Sequence, residues 1–115
     1  MARFSRAARA GDHCRGRCDI HLHTRHHHCG HFLTGHLSGS CNVYINGIPA
    51  QKVGDSATFE TCQHSGAGVI VDGSGTVFIN KKAAARIKDG VQCQNPMCSR
   101  TMYIIEGSSN VFIGD

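Results

Sequence analysis

The sequence predicts an all-β fold: a small cone of three packed β-hairpin units around a common axis. Three observations carry this. First, Gly39-Ser40-Cys41-Asn42-Val43-Tyr44-Ile45 returns as Gly73-Ser74-Gly75-Thr76-Val77-Phe78-Ile79 and again as Gly107-Ser108-Ser109-Asn110-Val111-Phe112-Ile113, an internal repeat in constant phase. Second, the run after each Gly-Ser is β-branched and aromatic, which suits a pleated, half-buried surface. Third, 14 glycines in 115 residues punctuate the chain at the spacing of turns and not of helices.

Each unit reads as strand, turn, strand. The first strands are Asn42-Val43-Tyr44-Ile45, Thr76-Val77-Phe78-Ile79 and Asn110-Val111-Phe112-Ile113. Asn46-Gly47 then signals a tight hairpin turn, and Asn80-Lys81 a weaker one. A second strand is expected from Ile48 to Val53 and from Lys82 to Ile87, closing on Gly54-Asp55 and Lys88-Asp89. The rest of each repeat reads as a connector ending in an apolar patch: Phe32-Leu33, Val69-Ile70-Val71 and Met102-Tyr103-Ile104-Ile105. A lone hairpin is marginal in water, so the units must pack on one another.

Ahead of the repeats, residues 1–10 are rich in Arg and Ala and read as a flexible basic arm before a single domain over 11–115. Ala7-Ala8-Arg9-Ala10-Gly11-Asp12 resembles Ala84-Ala85-Arg86-Ile87-Lys88-Asp89, as though the tail of a degenerate earlier unit stood there. The stretch from Asp12 to Gly39 is longer by nine positions than those from Asp55 to Gly73 and from Asp89 to Gly107. The first connector therefore carries a nine-residue insertion, placed at about 18–28 among most of the histidines.

Net charge is +4, and six of the twelve Lys and Arg precede residue 26, which makes a basic terminus and not a uniformly basic protein. No recognition helix or stacking-aromatic pattern follows it, so no nucleic-acid partner is expected. No apolar run approaches the roughly 20 residues of a membrane helix. The first nine residues lack the apolar segment of a secretory signal. Seven cysteines without export read better as metal ligands or free thiols than as disulfides. Cys41, where the other copies have Gly75 and Ser109, reads as a small filler.

The phase of the repeat points to metal. His64 stands nine positions before Gly73, and Cys98 nine before Gly107. Gly30 stands nine before Gly39, flanked by Cys29 and His31. Units wrapped about one axis would bring these side chains together, and convergent imidazole and thiolate make a tetrahedral zinc site. Counting forward from the closing Asp adds His13, directly after Asp12, and Cys93, four after Asp89; Cys62 competes.

With these residues in view, the chain resembles the PAAR-repeat family over about residues 10–115. Ala83-Ala84-Ala85-Arg86 stands where the name-giving Pro-Ala-Ala-Arg falls, and Pro49-Ala50-Gln51-Lys52 is its counterpart in the first unit, so neither copy is complete. The resemblance implies a structural, membrane-piercing spike-tip protein of contractile phage tails or type VI secretion systems. Its implied partner is a trimeric spike, a tail spike or VgrG-like β-helix, capped by one monomer, with transient contact to the target-cell membrane. Its implied location is the virion tail tip or the tip of a type VI apparatus, after assembly in the bacterial cytoplasm. It also implies one structural zinc at the apex in a mostly His plus Cys shell. The set expected here is His13, His31, His64 and Cys93, with Cys62 and Cys98 in reserve. Val43, Ile45, Val77, Ile79, Val111 and Ile113 are the expected spike-binding residues.

Two other functions fit less well. A zinc hydrolase needs an open coordination position and a general base, yet no His-Glu-x-x-His motif and no His-x-Glu with paired cysteines occurs. A zinc-stabilised nucleic-acid module would have to rest on the basic terminus alone.

Overall fold

The computed structural model describes residues 4–17, 32–59, 66–93 and 101–115. These form twelve strands and, among the described residues, no helix: β1 Phe4–Arg6, β2 His13–Arg17, β3 Phe32–Leu37, β4 Tyr44–Ile45, β5 Ile48–Pro49, β6 Ser56–Phe59, β7 Gly66–Ile70, β8 Phe78–Ile79, β9 Lys82–Ala83, β10 Gly90–Cys93, β11 Thr101–Ile104 and β12 Phe112–Gly114. Six of them close an antiparallel barrel in the order β10-β11-β2-β3-β6-β7. The other six pair as β4-β5, β8-β9 and β1-β12.

The barrel is made of the segments that read as connectors. Their alternation is weak because a six-stranded barrel is too narrow inside for large side chains at every position. One inward layer holds one residue per strand: Cys14 opposite Gly35, Ala57 opposite Gly68, and Val91 opposite Met102. Two of these six are glycines, and the largest of the six, Met102, is fully buried. Met102 also fills the space beside Gly16, where an added Cβ would collide with the Met102 side chain. The next layer is Leu37, Ile70 and Ile104, all buried in the same cluster.

Below the barrel the three units interlock about a pseudo-threefold axis. Ala8 N–H donates to Ala85 C=O, Ala85 N–H to Gln51 C=O, and Gln51 N–H to Ala8 C=O, at 3.0, 2.9 and 3.1 Å. A second ring runs from Ala10 to Pro49, Val53 to Ala83 and Ile87 to Arg6, each at 2.9 Å. Isolated bridges repeat the cycle: Ala7 with Arg86, Arg9 with Ala50, Lys52 with Ala84. Backbones this close leave room only for small side chains, and Ala7, Ala8, Ala50, Ala84 and Ala85 are fully buried.

This geometry shortens the expected second strands. β5 and β9 are two residues each: Ala50 and Ala84 N–H still donate to Val43 and Val77 C=O of their own hairpins, but the bridges of these residues are to neighbouring units, Ala50 with Arg9 and Ala84 with Lys52. The expected hairpin turns form: Asn46-Gly47 and Asn80-Lys81 all have positive φ, between 51° and 75°.

The third unit is assembled from both ends of the chain. β12 pairs with β1, Phe112 opposite Arg6 and Gly114 opposite Phe4. The residues after β1 then occupy the places of 50–55 and 84–89. The flexible arm expected over residues 1–10 is therefore corrected for residues 4–10, which complete the third unit. Nor does Ala7 to Asp12 belong to an earlier unit.

The first unit is one residue short. Leu37, Ile70 and Ile104 are equivalent, since their N–H groups donate to Asp12, Asp55 and Asp89 C=O. Gly73 and Gly107 follow three positions later, but Gly39 follows two after Leu37. Ser74 and Ser108 N–H reach Ala84 and Ala7 C=O directly, both at 2.8 Å. In the first unit the side chain of Gln51 makes the link instead. Its Oε1 accepts from Gly39 N–H at 3.0 Å and its Nε2 donates to Gly39 C=O at 2.9 Å. The nine-residue surplus of the first connector is thus a longer β2-β3 hairpin and a shorter exit. Its expected location, 18–28, lies outside the described residues.

Candidate metal centre and docking face

The barrel has two unlike ends. β2, β6 and β10 run in one direction, so their last residues and the first residues of β3, β7 and β11 share one rim. From this rim leave residues 18–31, 60–65 and 94–100, which lie outside the described residues. The other end carries the two short hairpins β4-β5 and β8-β9 and the β1-β12 pair.

His31 and His64 of the expected zinc set are therefore not described, and of Cys93 only the backbone is. Cys93 ends β10 at the rim, its Cα opposite Gly68. His13 is a correction. Tyr103 pairs with both Arg15 and Gly90, which sets a common level. His13 lies two positions below that level and Cys93 three above it. About five residue steps, roughly 16 Å, separate them along the strands, while a zinc–nitrogen bond is about 2 Å. His13 also alternates with the buried Cys14 and so faces outward, its Nδ1 against Glu106 Oε1. Adjacency to Asp12 in sequence placed it in the ligand set; the strand carries it to the end of the barrel away from Cys93.

The register also revises the phase count. Counting from the equivalent residues Leu37, Ile70 and Ile104, the sixth residue upstream is His31, His64 and Cys98 in turn. Counting from Gly39 gave Gly30, because the first unit is one residue short beyond Leu37. This relation favours Cys98 over Cys93. Among the described residues no three His, Cys, Asp or Glu side chains gather as a metal site.

At the opposite end the expected spike-binding residues divide. Ile45, Ile79 and Ile113 are 9, 7 and 6% exposed and pack with Ala7, Ala50 and Ala84 in a second core cluster. They are corrected to core residues, because strand alternation turns them toward the axis. Val43 and Val77 are exposed, and Val111 is half-buried against the same cluster. The large exposed groups are their neighbours Tyr44, Phe78 and Phe112, one in each repeat, at 61, 59 and 51% exposure. These three aromatics were missed, although their spacing is the repeat period itself. Phe4 on β1, 67% exposed, adds a fourth beside Gly114. Cys41 is half-buried against the lower cluster and its Sγ accepts from Val43 N–H at 3.4 Å, in keeping with a filler role.

Hydrogen bonds between units stiffen this end. Asn46 Nδ2 donates to Asn110 Oδ1 at 2.9 Å, and Asn80 Nδ2 to Asn42 Oδ1 at 2.8 Å. Thr76 Oγ1 donates to Asp115 C=O at 2.5 Å in the third such place. At the waist each unit has an i,i+3 ion pair: Arg9–Asp12 at 3.2 Å, Lys52–Asp55 at 3.0 Å and Arg86–Asp89 at 3.0 Å. Each Asp also accepts from the backbone N–H of its cationic partner, closing the turn. The hydrogen bonds that Arg86 donates to Asp89 raise the pKa of Arg86 further. So Arg9, counted with the basic arm, is neutralised inside the fold.

The arrangement defines a class: a small, threefold pseudo-symmetric β protein with a filled barrel, a rim where three pairs of barrel strands end, and an aromatic triangle at the other end. The family profile described as PAAR motif matches residues 22–97 and 63–115. The chain belongs to the PAAR-motif family, a family of spike-tip-type structural proteins. No curated protein matches the chain.

Proposed function

We propose that this protein is the tip of a trimeric central spike in a contractile injection machine, a phage tail or a type VI secretion apparatus. One monomer caps one spike. The supporting observation is the triangle of Tyr44, Phe78 and Phe112, exposed at equivalent positions of the three units of a single chain. A monomer with threefold pseudo-symmetry meets a threefold partner with three like contacts, and aromatic anchors are the usual energetic centre of such interfaces. Val43 and Val77 extend the apolar area. The role is structural and not catalytic: a rigid cone that contacts the target membrane in passing. Native mass spectrometry with the trimeric end of a contractile-machine spike should give one chain per trimer. Tyr44→Ser, Phe78→Ser and Phe112→Ser together should abolish that complex without unfolding the monomer. Binding unchanged in the triple variant would refute the docking face.

We further propose one structural zinc at the rim end, held by His31, His64 and Cys98, with Cys93 or Cys62 as fourth donor. The support is the shared phase of the first three and the shared rim of their hairpins. Such a shell would tie three hairpins together and add its binding energy to folding. Metal analysis of untagged protein should give one zinc per chain, lost in His64→Ala and Cys98→Ala and retained in His13→Ala. Equal zinc content in all of these would refute the set.

A further inference from the structure

His13, displaced from the rim, has surroundings of its own. β2 and β3 bring it directly opposite His36. Their inward neighbours Cys14 and Leu37 are buried, so both imidazoles lie on the outer face of the barrel. Asp12 C=O accepts from Leu37 N–H in the adjoining pair. His13 and His36 therefore form the non-hydrogen-bonded kind of antiparallel pair, in which side chains stand closest, with Cβ atoms about 4.5–5.5 Å apart.

Glu106 supplies an independent observation. Its Oε1 accepts from His13 N–H at 3.0 Å and also lies against His13 Nδ1. A carboxylate only accepts, so Nδ1 carries the proton. With Nδ1 turned to the carboxylate, Nε2 is the ring nitrogen that faces away from Glu106 and can serve as the donor atom. This is the carboxylate–histidine arrangement that supports metal-bound imidazoles.

We propose that His13 and His36 form a two-imidazole chelate on the barrel flank for a borderline divalent transition ion such as zinc, with Glu106 as a positioning residue. The site is separate from any rim zinc and does not rest on the spike-tip reading. Nitrogen donors favour zinc, nickel or copper(II) over magnesium or calcium. Two ligands leave coordination positions to water, or to a donor on a docked surface.

The test is a zinc titration of the full chain, starting from zinc-replete protein, followed by the imidazole resonances of assigned histidines. The His13 and His36 signals should shift together and saturate with one further zinc. His13→Ala and His36→Ala should each weaken that binding about tenfold or more, and the double variant should be no weaker than either single. Glu106→Gln should weaken it by about 10 to 100-fold with the melting temperature unchanged. A merely structural Glu106 would move the melting temperature and not the affinity. Resonances of His13 and His36 that stay still while other histidines respond would overturn the proposal. So would shifts of either ring that persist unchanged when the other is removed.

Discussion

Gln51 separates two ways of reasoning about this protein. The other units have Ala8 and Ala85 at its place, so repeat consensus expects Gln51→Ala to be harmless. The structure expects the opposite. Gln51 is fully buried, and its amide holds Gly39 N–H at 3.0 Å, Gly39 C=O at 2.9 Å and Ala50 C=O at 3.1 Å. Truncation removes these bonds and leaves the Gly39 peptide groups without that partner, in a unit one residue too short to replace it. A lost hydrogen bond costs about 1 kcal/mol, and an unsatisfied buried group about 1–3 kcal/mol. The expected loss is about 3 kcal/mol, or a fall in melting temperature of roughly 12 °C for a domain of this size. Urea and thermal unfolding followed by circular dichroism, at fixed zinc content, would measure it. Inserting one residue between Ser38 and Gly39 should restore most of the loss in Gln51→Ala while destabilising the parent. A change in Gln51→Ala below about 0.5 kcal/mol, within the range of inert substitutions, would refute the reasoning.

Other substitutions probe other links. Lys88 has φ +80° where the equivalent residues are Gly11 and Gly54, at +89° and +95°. Lys88→Gly should stabilise by about 0.5–1 kcal/mol, the left-handed cost less the entropy that glycine adds to the unfolded chain, and Lys88→Val should destabilise; both are read from denaturation midpoints. Met102→Ala opens a void in a layer that already contains Gly35 and Gly68, and should cost about 3–4 kcal/mol by urea unfolding. Burial pushes the Cys14 thiol up to about 11, from 9.0 in the unfolded chain. A raised thiol pKa keeps its proton longer in the folded state, so stability is intact below pH 9.0 and falls as pH climbs toward about 11. The limiting slope is about 1.4 kcal/mol per pH unit. Unfolding of the parent and Cys14→Ala across this window should differ by that slope, and iodoacetamide should leave Cys14 unmodified at pH 8.

The repeat, the hairpin turns and the all-β class were legible in residues 39–55, 73–89 and 107–115 because a period of 34 aligns strands and turns without help from distant residues. The barrel was not legible. Gly66-Ala67-Gly68 and Gly90-Val91-Gln92-Cys93 show little apolar alternation, since Met102 on another strand supplies the bulk for its layer. The proposed zinc set rests on sequence phase more than on structure, since His31, His64 and Cys98 lie outside the described residues. Donors of the right kind stood out, but their phase depended on where a unit begins in space. The missing residue before Gly39 is visible only once Leu37, Ile70 and Ile104 are superposed by their hydrogen bonds.

Sequence alone determined that three like units exist and that the first two fold as strand, turn, strand, because local propensity and periodicity act within a few residues. Tertiary structure decided how the units close: Phe4 to Asp12 complete the third unit, and His13 stands on the flank, not at the rim. It also turned Ile45, Ile79 and Ile113 inward and left Tyr44, Phe78 and Phe112 outside. Those outcomes depend on contacts between residues up to a whole chain length apart, and on a strand direction that no local signal encodes.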